Sequence, residues 1–207
     1  MRVYTGNQEL DEILKEKGNF ILVYGEPGSG KTNLIIKIVR ESVSRGVTSL
    51  YISTEGSLNI ERLLEVAQGF EDRIFISTPG NLSELLLSVL RSLSLGVGLV
   101  AIDSINYFYR IESGSSYRSN EMFLSLLGLI KYISETRDTY FIASAQVREI
   151  NRFIEPSGID VISFFKPYML QCRKISTNLF EVFLSDLNKR FRYSIDRRDL
   201  VWTSSEK

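Results

Sequence analysis

The chain has 207 residues, of which 43% are hydrophobic and 24% charged. Those are the proportions of a folded globular unit, and they exclude a disordered or collagen-like chain. Lys and Arg balance Asp and Glu at 25 each, so contact with a polyanion must come from a local patch. One cysteine, Cys172, and no histidine exclude an internal disulfide framework, His-based triads, His-ligated zinc and imidazole acid–base catalysis.

The opening MRVYTGNQELDEILKEKGNF carries acidic residues and no long apolar run, unlike a signal or transit peptide. The apolar stretches are strand-sized, short of the ~20 residues that cross a bilayer. The expectation is a soluble cytoplasmic protein with no membrane contact. A first helix is predicted over 8–15, where Leu10, Ile13 and Leu14 repeat at helical spacing behind a Thr5 or Asn7 cap. Strands are then predicted over 20–24, 50–53, 73–77, 99–103 and 140–144, alternating with helices over 32–45, 60–68, 82–93 and 120–136. Continuous apolar strands separated by helices predict an α/β fold, a mostly parallel sheet covered on both faces. Beyond Ala145 the pattern changes to short strands over 168–175, 179–185, 191–194 and 200–203, an antiparallel C-terminal extension spanning about 160–204. No repeat or linker divides the chain, so 1–207 is read as one domain. Two inserts, 112–119 and 147–158, look unstructured; both follow the C-terminal ends of strands, where open α/β sheets bind ligands.

Gly25, Glu26, Pro27, Gly28, Ser29, Gly30, Lys31 and Thr32 satisfy G-x-x-x-x-G-K-[ST] between a predicted strand and a predicted helix. Glycines let successive N–H groups turn toward phosphates, and the helix start adds its positive dipole end. Lys31 then reaches the β- and γ-phosphates of ATP and Thr32 ligates Mg²⁺; the alternative is a glycine turn with an ordinary capping Thr. Leu99-Val100-Ala101-Ile102-Asp103 is a buried strand ending in a carboxylate able to hold the metal through water, or an Asp that merely caps a strand. Glu55, in Ser53-Thr54-Glu55-Gly56 at another strand end, either orients and deprotonates an attacking water or is an exposed turn residue.

The segments TGNQELDEIL, GEPGSGKTN, YISTEGSLNIERLLEVA, LVAIDSINYFYR and FIASAQV together resemble the RecA/RadA recombinase ATPase core, most closely the short archaeal RadA paralogues such as RadB. The likeness is strong over 5–146 and looser to Trp202. With 24 residues ahead of Gly25, it leaves no room for the helical DNA-binding domain or polymerisation linker of the recombinases. It implies a RecA-like P-loop ATPase that assists homologous recombination and DNA repair. Adaptor and KaiC-like signalling roles are the alternatives. By the resemblance Glu55 is the catalytic glutamate, Asn33 follows the phosphate loop in the nucleotide site, Arg62 stacks on adenine, and Gln146 senses the γ-phosphate. The inserts fall where the family holds single-stranded DNA, with Arg118 in the first and Arg148, Arg152 and Phe153 in the second; ordinary polar loops are the alternative. Both inserts are short, and Glu112, Glu149 and Glu155 dilute their positive charge. Lys189 and Arg190 lie in a basic C-terminal stretch with Arg173, Lys174, Arg192, Arg197 and Arg198. They read either as solvated edge charges or as cations reaching the nucleotide of a neighbour, whether a recombinase subunit or a second copy.

Overall fold

A computed structural model describes residues 3–112, 117–150, 153–196 and 199–203. In chain order the elements are α1 (Gln8–Glu16), β1 (Phe20–Tyr24), α2 (Lys31–Ser44), β2 (Ser49–Ser53), α3 (Leu58–Val66), β3 (Ile74–Ser77), α4 (Leu82–Leu95), β4 (Leu99–Asp103), α5 (Tyr107–Glu112), α6 (Tyr117–Thr136), β5 (Tyr140–Ala145), β6 (Val147–Ile150), β7 (Phe153–Pro156), α7 (Ile159–Ile162), β8 (Tyr168–Lys174), β9 (Leu179–Leu184), β10 (Lys189–Asp196) and β11 (Asp199–Trp202). Single 3-10 turns precede β3 (Glu71–Arg73) and follow α7 (Ser163–Phe165). Among the described residues no helix is long and apolar enough to cross a membrane.

Nine strands form one sheet in the order β11-β10-β9-β8-β1-β5-β4-β2-β3. The first five strands pair in parallel, as expected of continuous apolar runs buried on both faces. Strand alternation deals their side chains to two layers. Ile21, Val23, Tyr51, Ala101 and Ile142 face α1, α2 and α3; Phe20, Leu22, Ile52, Ile102 and Phe141 face α4 and α6. The C-terminal strands extend the sheet beside β1. β8 enters parallel to β1 after α7, and β8, β9, β10 and β11 then pair antiparallel in succession.

Helix ends follow local chemistry. Asn7, not Thr5, caps α1, accepting from the Leu10 amide at 3.1 Å; the Thr5 hydroxyl instead donates to Asp11 at 2.6 Å. Asn81 caps α4 by accepting from the Glu84 amide while Glu84 accepts from the Gly80 amide. The two inserts are more ordered than the sequence suggests. Of 112–119, residue 112 ends α5 and 117–119 open α6; the rest lie outside the described residues. In the second insert 147–150 and 153–156 pair as the strands β6 and β7, closed at their root by Ser157 N donating to Gln146 O at 2.9 Å. Arg152, expected there to hold DNA, lies outside the described residues, as do Arg197 and Arg198.

On α2, Glu41 is only 8% exposed and sits among Lys37, Arg40 and Arg45. Burial pushes its carboxyl up, but hydrogen bonds from Arg45 and Arg40 outweigh burial and leave it below its ordinary value. A depressed folded value contributes stability above the unfolded carboxyl range that is lost as pH falls through the folded value. Glu41→Gln should therefore destabilise by roughly 1–3 kcal/mol at neutral pH. Chemical denaturation at pH 7 and near pH 3 (about the carboxylate range) checks this; a gap that does not narrow in acid rules the account out.

Candidate functional site

The phosphate loop leaves the C-terminal end of β1 and enters α2 at Lys31. Its rear is pressed against the C-terminal strands. A Cβ on Gly30, where φ is +92°, would lie 2.2 Å from Tyr193 Oη, and that hydroxyl donates to Gly30 O at 3.2 Å. On the open side a Cβ on Gly28 would meet nothing within 4 Å. Cys172 lies behind the loop with its thiol pushed up to about 12 by burial, so it packs and does not react. Lys31 Nζ donates to Gly25 O at 2.8 Å and Glu26 O at 2.9 Å. Burial lowers its pKa, against the pull of Asp103 and Glu55.

Loop and strand ends enclose a cleft of about 510 Å³, lined by Gly25, Pro27, Gly28, Gly30, Lys31, Thr32, Asn33, Glu55, Asn59, Arg62, Asp103, Arg110, Gln146 and Val147. A nucleotide's phosphates fit this lining: the first-turn amides of α2 have no partner within the helix, and the Lys31 ammonium stands beside them on the cleft wall. Glu26 and Ser29 of the motif do not line the cleft; Ser29 N closes the loop onto Glu26 O at 3.1 Å.

Asp103, 3% exposed at the end of β4, collects four donors. Thr32 Oγ1 donates to Oδ2 at 2.8 Å, Tyr51 Oη and Asn59 Nδ2 each at 3.3 Å, and Ser144 Oγ donates to Oδ1. Burial raises the Asp103 pKa while the Ser144 and Thr32 hydrogen bonds oppose the rise, and burial beside Asp103 raises that of Tyr51. Thr32 and Asp103, the expected metal pair, are thus in contact. No group of three or more carboxylate or cysteine ligands occurs among the described residues, so a cation here would complete its shell with phosphate oxygens and water, as Mg²⁺ does.

Thr54 stitches the ends of β2 and β4 together. Its amide donates to Asp103 O at 2.9 Å, its hydroxyl to Ser104 O at 2.9 Å, and it accepts from Ser104 N at 2.7 Å. This places Glu55 across the cleft from the loop. Glu55 Oε1 accepts from Ser104 Oγ at 2.6 Å and from Gln146 Nε2 at 2.7 Å, and Gln146 Oε1 accepts from Arg110. Gln146 is held by its main chain as well: fully buried Asn106 accepts from its amide and donates to its carbonyl, both at 2.8 Å, and donates to Ser157 O at 2.9 Å. Asn106, Arg110, Asn59, Ser104, Ser144 and Tyr51 were not read from the sequence. Arg110 rides on α5, a six-residue helix too short to show a period.

The phosphate loop, Asn33, Glu55, Arg62, Asp103 and Gln146 therefore share one cleft, while the other expected residues lie apart. Arg118 sits in the first turn of α6 beside Asn81, Ser83 and Glu112. Arg148 on β6 is paired to Glu155 at 2.9 Å and lies 3.5 Å from Asp160. Phe153 opens β7. Lys189 and Arg190 are adjacent on β10 and project to opposite faces: Lys189 reaches Glu9 of α1 at 2.6 Å, and Arg190 lies over the Phe183 ring.

No family model matches the chain. It is similar to curated proteins named DNA repair and recombination protein RadB. The Methanococcus maripaludis protein is 30% identical over 178 residues, covering 80% of this chain and 82% of the relative. The Methanosphaera stadtmanae protein is 28% identical over 184 residues, covering 81% and 79%. The Methanocaldococcus jannaschii protein is 27% identical over an alignment of 209 positions, covering 92% and 98%.

Proposed function

The chain belongs to the RadB family of RecA-fold RadA paralogues, and from that premise we propose that it binds and hydrolyses ATP with Mg²⁺ and associates with single-stranded DNA to assist recombination and repair. The observation that carries this reading is Gln146. Its amide lies against Glu55 in the nucleotide cleft, and its backbone is the root of the β6–β7 hairpin. A γ-phosphate that draws the Gln146 side chain away from Glu55 thereby acts on the hairpin expected to meet DNA.

The chemistry follows from placement. Lys31 exchanges two carbonyl acceptors for phosphate oxygens, a charge-assisted contact stronger than the neutral ones it leaves. Arg62, one helical turn from Asn59 and on the cleft wall, would lie on adenine through its planar guanidinium. Mg²⁺ bound by Thr32 and Asp103 would offset charge on the β- and γ-phosphates. Glu55 takes the proton of the attacking water as its oxygen bonds to the γ-phosphorus; the bond to the β–γ bridging oxygen breaks, and ADP and phosphate leave. Ser104 holds the Glu55 carboxylate in place for this role after Gln146 has turned to the γ-phosphate.

A second reading, a nucleotide-switched adaptor that binds a recombinase without turnover, draws support from Arg148, whose charge is met by Glu155 and Asp160. The test is phosphate release with and without single-stranded DNA, on protein whose mass in solution has been measured. Slow hydrolysis stimulated by DNA is the expected result. Negligible release under both conditions with ATP bound selects the adaptor. A specific rate that climbs with protein concentration indicates a cation from a neighbouring subunit, for which Lys189→Ala and Arg190→Ala are made separately.

A further inference from the structure

Among the described residues the outer C-terminal strands β9 and β10 are covered on one face only. Leu170, Cys172, Val182, Phe191, Tyr193 and Leu200 turn toward the layer of α1 and α2 and are buried. The alternate residues point the other way, and the pairing register sets them in rows. Tyr24, Gln171, Phe183 and Arg190 lie side by side across β1, β8, β9 and β10, and Arg173, Glu181 and Arg192 form the next row. Rows two residues apart are separated by roughly 7 Å along a strand.

These rows are basic and aromatic. The guanidinium of Arg173 stands 4.4 Å and that of Arg190 5.4 Å from the centroid of the Phe183 ring. Arg190 and Arg192 are exposed, while Tyr24, Gln171, Arg173 and Phe183 are half-buried. Three guanidiniums share the two rows with one carboxylate, Glu181, which is 1% exposed and lies 3.6 Å from Arg192 Nε. In a chain of zero net charge such an excess is a local feature. The first row also continues toward the nucleotide site: Tyr24 pairs with Ala145, whose successor Gln146 roots the β6–β7 hairpin.

We propose that this uncovered face binds single-stranded nucleic acid, laid across the strands from the hairpin root toward β10. On binding, the Arg190 guanidinium swings from the Phe183 ring to a phosphate and leaves that ring face to an unpaired base, while Arg192 contacts a second phosphate. Stacking on rings with phosphate neutralisation holds a strand without sequence preference, and a duplex, whose bases are already stacked, gains only the charge contacts. The inference rests on the proposed association with DNA and assigns it a surface beyond the hairpin.

The test is fluorescence anisotropy of labelled oligo(dT) titrated with the full chain over a range of salt, with thermal melts to verify folding. Arg190→Ala should weaken binding and reduce the slope of log affinity against log salt by about 0.7, the loss of one phosphate contact. Phe183→Leu, which keeps an apolar side chain, should weaken binding about tenfold with the slope unchanged. Arg190→Lys should retain the slope. If the parent binds and both Arg190→Ala and Phe183→Leu match it, the face is not a DNA surface and the association with DNA stands elsewhere. If the parent does not bind, both proposals fall. A change of mass in solution with unaltered DNA affinity would make the face a contact between copies and overturn the inference.

Discussion

Lys31→Ala should abolish detectable nucleotide binding, whereas Glu55→Gln should leave ATP bound and slow its cleavage by about 10²- to 10⁴-fold. The contrast comes from what each group touches. Lys31 lies in the wall of the phosphate cradle, and its charge has no substitute there: Arg62 is on α3, and Arg110 is engaged with Gln146. Glu55 takes its hydrogen bonds from Ser104 and Gln146, which lie outside the loop. The amide of a Gln at 55 retains an acceptor for both donors, so the cleft keeps its shape and only the proton acceptor is lost. Titration with a fluorescent ATP analogue and single-turnover phosphate release separate the two effects. Hydrolysis at the parental rate by Glu55→Gln would show that another group orients the water.

Gly30→Ala should damage the fold and the nucleotide site together, at a cost of about 3 kcal/mol or more. The added Cβ meets Tyr193 Oη at 2.2 Å and Phe180 Cδ1 at 3.2 Å, at a φ of +92° that L side chains avoid. Tyr193 cannot give way readily: it is fully buried, stacked on Phe180 and edge-on to Trp202. The strain must displace either β10 or the phosphate loop. Combining Gly30→Ala with Tyr193→Phe removes the clashing hydroxyl and should recover part of the lost stability, leaving the backbone strain. Thermal melts and nucleotide titration of the double-mutant cycle measure this. Additive losses would mean that Tyr193 does not support the loop.

Much of this architecture follows from local pattern. β4 spans the predicted 99–103, and β1 the predicted 20–24, because each is a short continuous apolar run, four residues ahead of Asp103 in β4 and five in β1, of the kind a sheet buries on both faces. The phosphate loop is legible for a similar reason: glycine spacing, lysine and the strand–helix junction all lie within a few residues of one another. Glu55 and Asp103 could be singled out as strand-end carboxylates, since such ends meet at the ligand-binding edge of a parallel sheet.

What the sequence left open is non-local. Nothing in 168–175 says that β8 enters beside β1 and parallel to it; that follows from α7 carrying the chain back along the sheet. The hairpin β6–β7 was read as loop because its two short strands have little apolar alternation, and cross-strand pairing with Arg148 opposite Glu155 orders them. The contact of Glu55 with Gln146, 91 residues apart in sequence, exists because β2 and β5 flank β4 in the sheet. The opposite orientation of Lys189 and Arg190 was likewise decided by tertiary structure. In a turn they could act together, but β10 begins at Lys189, and the twofold alternation of a strand sends neighbours to opposite faces.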